Sequence, residues 1–227
     1  MTNFKQTLAT ITDYIKADIF PGASLALYDG KAWQEYYQGT QDGCVPVVPG
    51  LTYDLASVSK VVGVGTLCLF YLQADKLDLD EKLSTYYPAV ENKTLTLRQL
   101  LSHSSGIDPF IPNRDELDQE GLIAAINAIK VRDDKPFLYT DINFILLGLM
   151  LEELSGLSLD KLFDSEVFQP FGMSETQFGP VGIAVPTVKG IPGGTVHDPK
   201  ARVLKEHTGS AGLFSTLKDL EILLIII

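Results

Sequence analysis

The sequence predicts an α+β fold in which a helical region packs on an antiparallel sheet. Three observations carry this. "ASLALYDGKAWQEYYQG" holds two strand-like runs around an Asp29-Gly30 turn, a β-hairpin signal. From about Ser57 onward, apolar and amphipathic segments at helical spacing follow one another almost to the end. No repeat period or low-complexity linker divides the 227 residues. Residues 1–50 read as an N-terminal helix and hairpin, and residues 51–227 as a mainly helical region.

The elements follow in order. Phe4, Leu8, Ile11 and Ile15 recur at helical spacing, with Asp13 and Lys16 between them. This is an amphipathic helix and not a signal peptide, because the apolar core of roughly 7–15 residues is missing. As written, the chain is expected to stay in the cytoplasm; export stays open if the N-terminus was trimmed. After the hairpin comes an apolar helix from Ser57 to about Leu72. It is too short and too marked by glycine to cross a bilayer, which needs about 20 residues, so no membrane insertion is expected. "LDLDEKLSTYYP" reads as loop and short turns. "TLTLRQLLSHSSGI" is a short helix with Leu97, Leu100 and Leu101 on one face. "DQEGLIAAINAIK" is amphipathic, and "DINFILLGLMLEELSG" is a buried helix closed by Gly156. "SLDKLFDSEVFQPFGM" starts at a Ser cap and ends near Pro170. Residues 181–199 are loop, and "STLKDLEILL" is the last helix.

Nothing after Gly209 reads as an ordinary strand, apart from the apolar tail "LLIII". A lone hairpin is marginal. The expectation is a sheet whose C-terminal closing strands are missing, with an open edge along "ASLALY" through which copies could self-associate.

Composition narrows the function. A net charge of −11 repels nucleic acid and anionic membranes. Cys44 and Cys68 lack a CxxC pattern and a histidine at ligand spacing, so both read as reduced thiols and no metal site is expected. "IPGGTVHDP" has no strand–glycine–helix context and is not read as phosphate-binding. No cofactor is expected. His103 and His197 read as structural, satisfied by neighbouring backbone, and His207 as an exposed loop residue.

The chain contains S-x-x-K three times, at Ser57/Lys60, Ser158/Lys161 and Ser215/Lys218. The last two open amphipathic helices and read as N-caps with surface lysines. Ser57 differs, because Val58, Val61, Val62, Val64, Leu67 and Leu69 make its helix apolar almost all round and so place it in the core. Residues three apart share a helix face, so the Lys60 amine sits beside Ser57 Oγ. Desolvation favours a neutral amine, which can take the hydroxyl proton. The helix start adds positive potential and a free N–H. The competing reading is a capping serine beside a snorkelling lysine, and sequence physics alone leaves the two about even.

"ASVSKVVGVGTLCLFYLQADKLDLDEKLSTYYP", "LTLRQLLSHSSGI", "PFLYTDINFILLGLMLEELSG", "VFQPFGMSETQF" and "VHDPKARVLKEHTGSAGLFSTLKDL" resemble, in collinear order, the serine β-lactamase and penicillin-binding protein family, in its class C and D-Ala-D-Ala carboxypeptidase-like branch. The resemblance implies a β-lactamase/transpeptidase-like fold. It implies an acyl-enzyme mechanism on a small-molecule or peptide acyl substrate: β-lactams, D-Ala-D-Ala-type peptides or small esters. Ser57 would be the nucleophile, Lys60 the proton acceptor, and Tyr139, matching the Tyr of a Tyr-x-Asn motif, the relay to the leaving group. Asp141 stands where that motif has Asn. An ionised Asp only accepts hydrogen bonds, so it would bind a substrate amide differently, or pair with Lys60. "EHTGSAG" is not the family's third motif, because it precedes "LFSTLKDL" and lies in a loop where the motif needs a strand. The alternative is a catalytically impaired fragment or a non-catalytic ligand-binding relative.

Overall fold

The structure, a computed structural model, describes residues 4–188, 190–205 and 207–227. Helix α1 spans Lys5–Lys16. It leans on the hairpin through Thr12 Oγ1, which donates to Gln38 Oε1 at 3.0 Å. Strands β1 (Gly22–Tyr28) and β2 (Trp33–Gly39) pair antiparallel from Gly22↔Gly39 to Tyr28↔Trp33. At the turn, Asp29 Oδ1 accepts from the N–H groups of Lys31 and Ala32 at 2.9 and 3.0 Å. Gly30 takes a φ of +93°, open to glycine at little cost.

After β3 (Thr52–Asp54) the chain enters the helical region: α2 (Thr66–Gln73), α3 (Leu83–Tyr86), α4 (Leu97–Leu101), α5 (Gln119–Asn127), α6 (Asp141–Ser155), α7 (Leu159–Phe163) and α8 (Gln169–Phe171). Strand β4 (Gln177–Phe178), helix α9 (Pro199–Val203), strand β5 (Leu213–Thr216) and helix α10 (Leu217–Ile226) follow. The hairpin forms its own two-stranded sheet, and a second antiparallel sheet runs in the order β3-β5-β4. α10 packs on β1, and Tyr53 of β3 shares a 2.7 Å hydrogen bond with Ser24 of β1.

Strand β5 corrects the expectation that no strand follows Gly209. Leu213 and Phe214 are both fully buried, because β5 is the central strand of its sheet. A buried central strand shows no alternation, so four residues look like the start of the next helix. Ser215 is therefore not a cap. It lies buried in β5, with its Oγ 2.8 Å from Thr176 Oγ1. Thr216 caps α10 instead, accepting from the Asp219 N–H. Ser158 does hold the N-cap position of α7, without a side-chain cap bond. "KLSTYYP", expected as loop, contains the one-turn helix α3.

The Ser57 helix also departs from expectation. It begins as a 3₁₀ turn at Ala56–Val58, widens to a π-helix over Lys60–Gly65 and becomes α-helical at α2. Thr66 Oγ1 donates to the Val61 carbonyl at 3.0 Å, five residues back, which suits the wide turn. Gly63 has no room for a Cβ, because the Phe163 ring of α7 lies against it. The helix is not buried all round. Val62, Val64 and Leu67 face the core, while Val58, Val61 and Leu69 are half-exposed. Its inner side meets α6 and α7, whose Leu146, Leu147, Met150, Leu162 and Phe163 are almost completely buried. No described element covers the outer side.

Candidate active site

Ser57 sits on the turn between β3 and the π-helix. Ala56, just before it, holds a φ of +48°, a strained value for a residue with a Cβ. Asp54 stabilises that turn. Its carboxylate is fully buried; Oδ1 accepts from the Ala56 N–H at 2.8 Å, and Oδ2 meets the His197 N–H at 3.0 Å and Nδ1 at 2.9 Å. His197 is thus satisfied by a carboxylate and not by backbone. The pair ties the glycine-rich segment before α9 to the turn that carries Ser57.

Ser57 is exposed, whereas Lys60 is 3% exposed. Lys60 Nζ donates to Ser57 Oγ at 3.0 Å, to Asp141 Oδ1 at 2.8 Å and to the buried Ser210 carbonyl at 2.9 Å. The carboxylate and the carbonyl can only accept, so two amine hydrogens go to them. The third position faces Ser57. As an ammonium, Lys60 donates there; as an amine, it turns a lone pair to the hydroxyl. One geometry serves both ends of a proton transfer.

Asp141 is the first residue of α6, after the cap Thr140. Its second oxygen, Oδ2, accepts from Lys200 Nζ at 2.9 Å. Burial pushes the Asp141 carboxyl up, but hydrogen bonds and charges from Lys60 and Lys200 hold it below its ordinary value. Both oxygens are therefore engaged by lysines. Tyr139, two residues earlier, is 51% exposed. Lys60 Nζ lies 5.2 Å from its ring centroid, within cation–π range. Among the described residues its hydroxyl makes no hydrogen bond to Ser57 or Lys60.

His103 supports this corner from below. Its ring lies 4.5 Å from that of Tyr139, and Nδ1 accepts from the Thr140 N–H at 3.4 Å. Asn143 takes the Ser105 hydroxyl on Oδ1 at 2.7 Å, which turns Nδ2 toward His103 Nδ1 at 2.9 Å. Nδ1 therefore carries no proton. Burial, then the Lys60 charge, lower His103 below its ordinary 6.5. The sign follows: the fold prefers neutral His103, so its contribution is complete above pH 6.5 and declines as pH falls below it. The thermal midpoint of the native chain is expected to drop more between about pH 7.5 and about pH 5.5 than that of His103→Gln. Parallel slopes would refute the assignment.

The segment after α9 delivers the Ser210 carbonyl. His207-Thr208-Gly209 lies in a loop, not on a strand. His207 is only partly exposed: its ring is 4.8 Å from that of Phe178, and Nδ1 is 3.7 Å from Asp160. Thr208 Oγ1 accepts from the N–H groups of Ser210 and Ala211, which shapes the turn. Sequence reasoning missed both Ser210 and Lys200. The Asp198-Pro199 start of α9 was a visible signal that Lys200 lies in a first helical turn, but nothing local shows that it meets Asp141. Cys68 is no rival nucleophile, because burial pushes its thiol up to about 12.

Small antiparallel sheets around a helical region, with a serine and a buried lysine at the head of the central helix, define the β-lactamase/transpeptidase-like fold. The chain belongs to the beta-lactamase family, whose family model matches residues 8–226. A protein of Escherichia coli (strain K12) named D-alanyl-D-alanine carboxypeptidase is 26% identical over 240 residues, covering 86% of this chain and 55% of its own length. The chain thus spans little more than half of that curated relative. D-amino acid amidase from Ochrobactrum anthropi SV3 superposes with a TM-score of 0.72 at 20% identity, over 97% of this chain and 70% of the amidase. A class C beta lactamase from Rhodobacter sphaeroides gives 0.73 at 22% identity, over 96% and 63%. These solved structures share the fold.

Proposed function

We propose that this chain carries the nucleophilic site of a serine acyl hydrolase that works through an acyl-enzyme at Ser57. The substrate class is a β-lactam, a D-Ala-D-Ala-type peptide, a D-amino acid amide or a small ester. The observation that carries this is the exposed Ser57 hydroxyl, 3.0 Å from a buried lysine amine whose other hydrogens are engaged. In the acylation step Ser57 Oγ gives its proton to Lys60 Nζ and bonds to the substrate carbonyl carbon. The carbonyl C–N or C–O bond breaks, and the leaving group takes that proton from Lys60, directly or through the Tyr139 phenol. Water then cleaves the Ser57 ester and restores the hydroxyl. The Ser57 N–H at the helix start supports the developing oxyanion. Asp141 acts on Lys60 in this reading, since both its oxygens hold lysines.

A catalytically impaired relative is the second reading, favoured by the Tyr139 hydroxyl, which bonds neither Ser57 nor Lys60 among the described residues. Intact-mass analysis after incubation with a fluorescent penicillin separates the two. One adduct, mapped to Ser57 and absent from Ser57→Ala, is expected. Equal labelling of Ser57→Ala would move the nucleophile elsewhere, and no adduct at all would favour the impaired relative.

A further inference from the structure

We propose that Lys200 is a positioning residue for Lys60 that acts through Asp141, dividing that carboxylate between two ammonium groups so that Lys60 can exchange its proton with Ser57. This deepens the reading of Ser57 as nucleophile and rests on it.

The geometry is a chain of polar contacts. Ser57 Oγ meets Lys60 Nζ at 3.0 Å, Lys60 meets Asp141 Oδ1 at 2.8 Å, and Asp141 Oδ2 meets Lys200 Nζ at 2.9 Å. The other groups facing this chain are few. Asp198 Oδ2 lies 3.6 Å from Lys200 Nζ, farther than Asp141 Oδ2 at 2.9 Å, while Asp198 Oδ1 caps α9 by accepting from the Ala201 N–H at 2.8 Å. Tyr139 presents its ring face to Lys60, and His103 lies beneath the corner, held neutral.

Consider the site without Lys200. Lys60 and Asp141 would form a closed pair, one cation to one carboxylate. Such a pair favours the ammonium, which can only donate to Ser57 and cannot act as its base. A second cation on the far oxygen draws the Asp141 charge away from Lys60 and weakens that hold, so the ammonium gives up its proton more readily. Burial strengthens the effect, because the charges are poorly screened: Lys200 is 17% exposed and Asp141 24%. Placement of Lys200 is also tied to the nucleophile. α9 follows His197, and His197 is bonded to Asp54, which holds the turn before Ser57.

The test reads Lys60 directly. Chain labelled with ¹³Cε-lysine is titrated by NMR, with Lys60 assigned by its loss in Lys60→Met. In Lys200→Met, the Lys60 midpoint is expected to move up by about one pH unit, and penicillin labelling at fixed pH to slow by about tenfold. Lys200→Arg, which keeps the charge, is expected to restore both. In an Asp141→Asn background, Lys200→Met is expected to leave the Lys60 midpoint unmoved. An unchanged midpoint in Lys200→Met overturns the proposal. A shift of equal size in the Asp141→Asn background also overturns it, since the effect would then bypass Asp141. A shifted midpoint in a chain that never labels would leave the Lys200 role standing and remove the acyl-enzyme reading instead.

Discussion

Lys60→Met is expected to slow acylation of Ser57 by about 10²–10⁴-fold, the range for loss of a positioned general base. Lys60 Nζ is the amine within hydrogen-bond reach of Ser57 Oγ, and Met keeps the apolar stem while removing the nitrogen. The substitution also strands polar atoms. The Ser210 carbonyl loses the Lys60 donor and Asp141 keeps Lys200 as its remaining cation. Leaving a buried acceptor unpaired costs about 1–3 kcal/mol. The rate of penicillin labelling and a thermal melt on the same sample separate the two effects. A labelling rate within twofold of the native chain would remove Lys60 from the base role.

The largest stability effect of a minimal change is expected at Gly209→Ala. A Cβ there would run into the Phe144 carbonyl oxygen of α6 and lie 2.9 Å from Val64 Cγ2 and 3.1 Å from Gly148 Cα. Two of these are helix backbone, which cannot rotate aside. Overpacking of this kind costs about 1–3 kcal/mol, or roughly 2–12 °C in melting temperature for a chain of this length. Because Gly209 precedes Ser210, the same push displaces the carbonyl that holds Lys60. A loss of up to about 10²-fold in labelling is expected even in the molecules that remain folded. Gly182→Ala is the control, since a Cβ at that glycine meets nothing within 4 Å. Equal melting temperatures for the two variants would show that α6 and the Gly209 segment do not press together as described.

The hairpin was legible because its turn chemistry is local: Asp29 and Gly30 satisfy their own geometry without help from afar. The buried α6 was legible for a similar reason, since Gly156 marks its end and its apolar residues run almost unbroken up to it. β5 was not. Its four residues are all buried, and only pairing with β3 and β4 separates that pattern from a helix start. The exposed outer side of the Ser57 helix was equally hidden, because an apolar side chain does not say whether anything covers it.

At the site, the sequence by itself determined that Ser57 and Lys60 share one helical turn. Their spacing of three and the apolar run after them make a local pattern, and helical geometry then brings hydroxyl and amine together. It also raised the two outcomes for Asp141. Only the tertiary structure paired Asp141 with Lys60, and it turned the second carboxylate oxygen to Lys200. It also brought in Lys200 and the Ser210 carbonyl. Those contacts join groups far apart in the chain, through charge and hydrogen bonding that leave no periodic trace. Hydrophobic spacing records which face a helix buries; it does not record which buried cation meets which carboxylate.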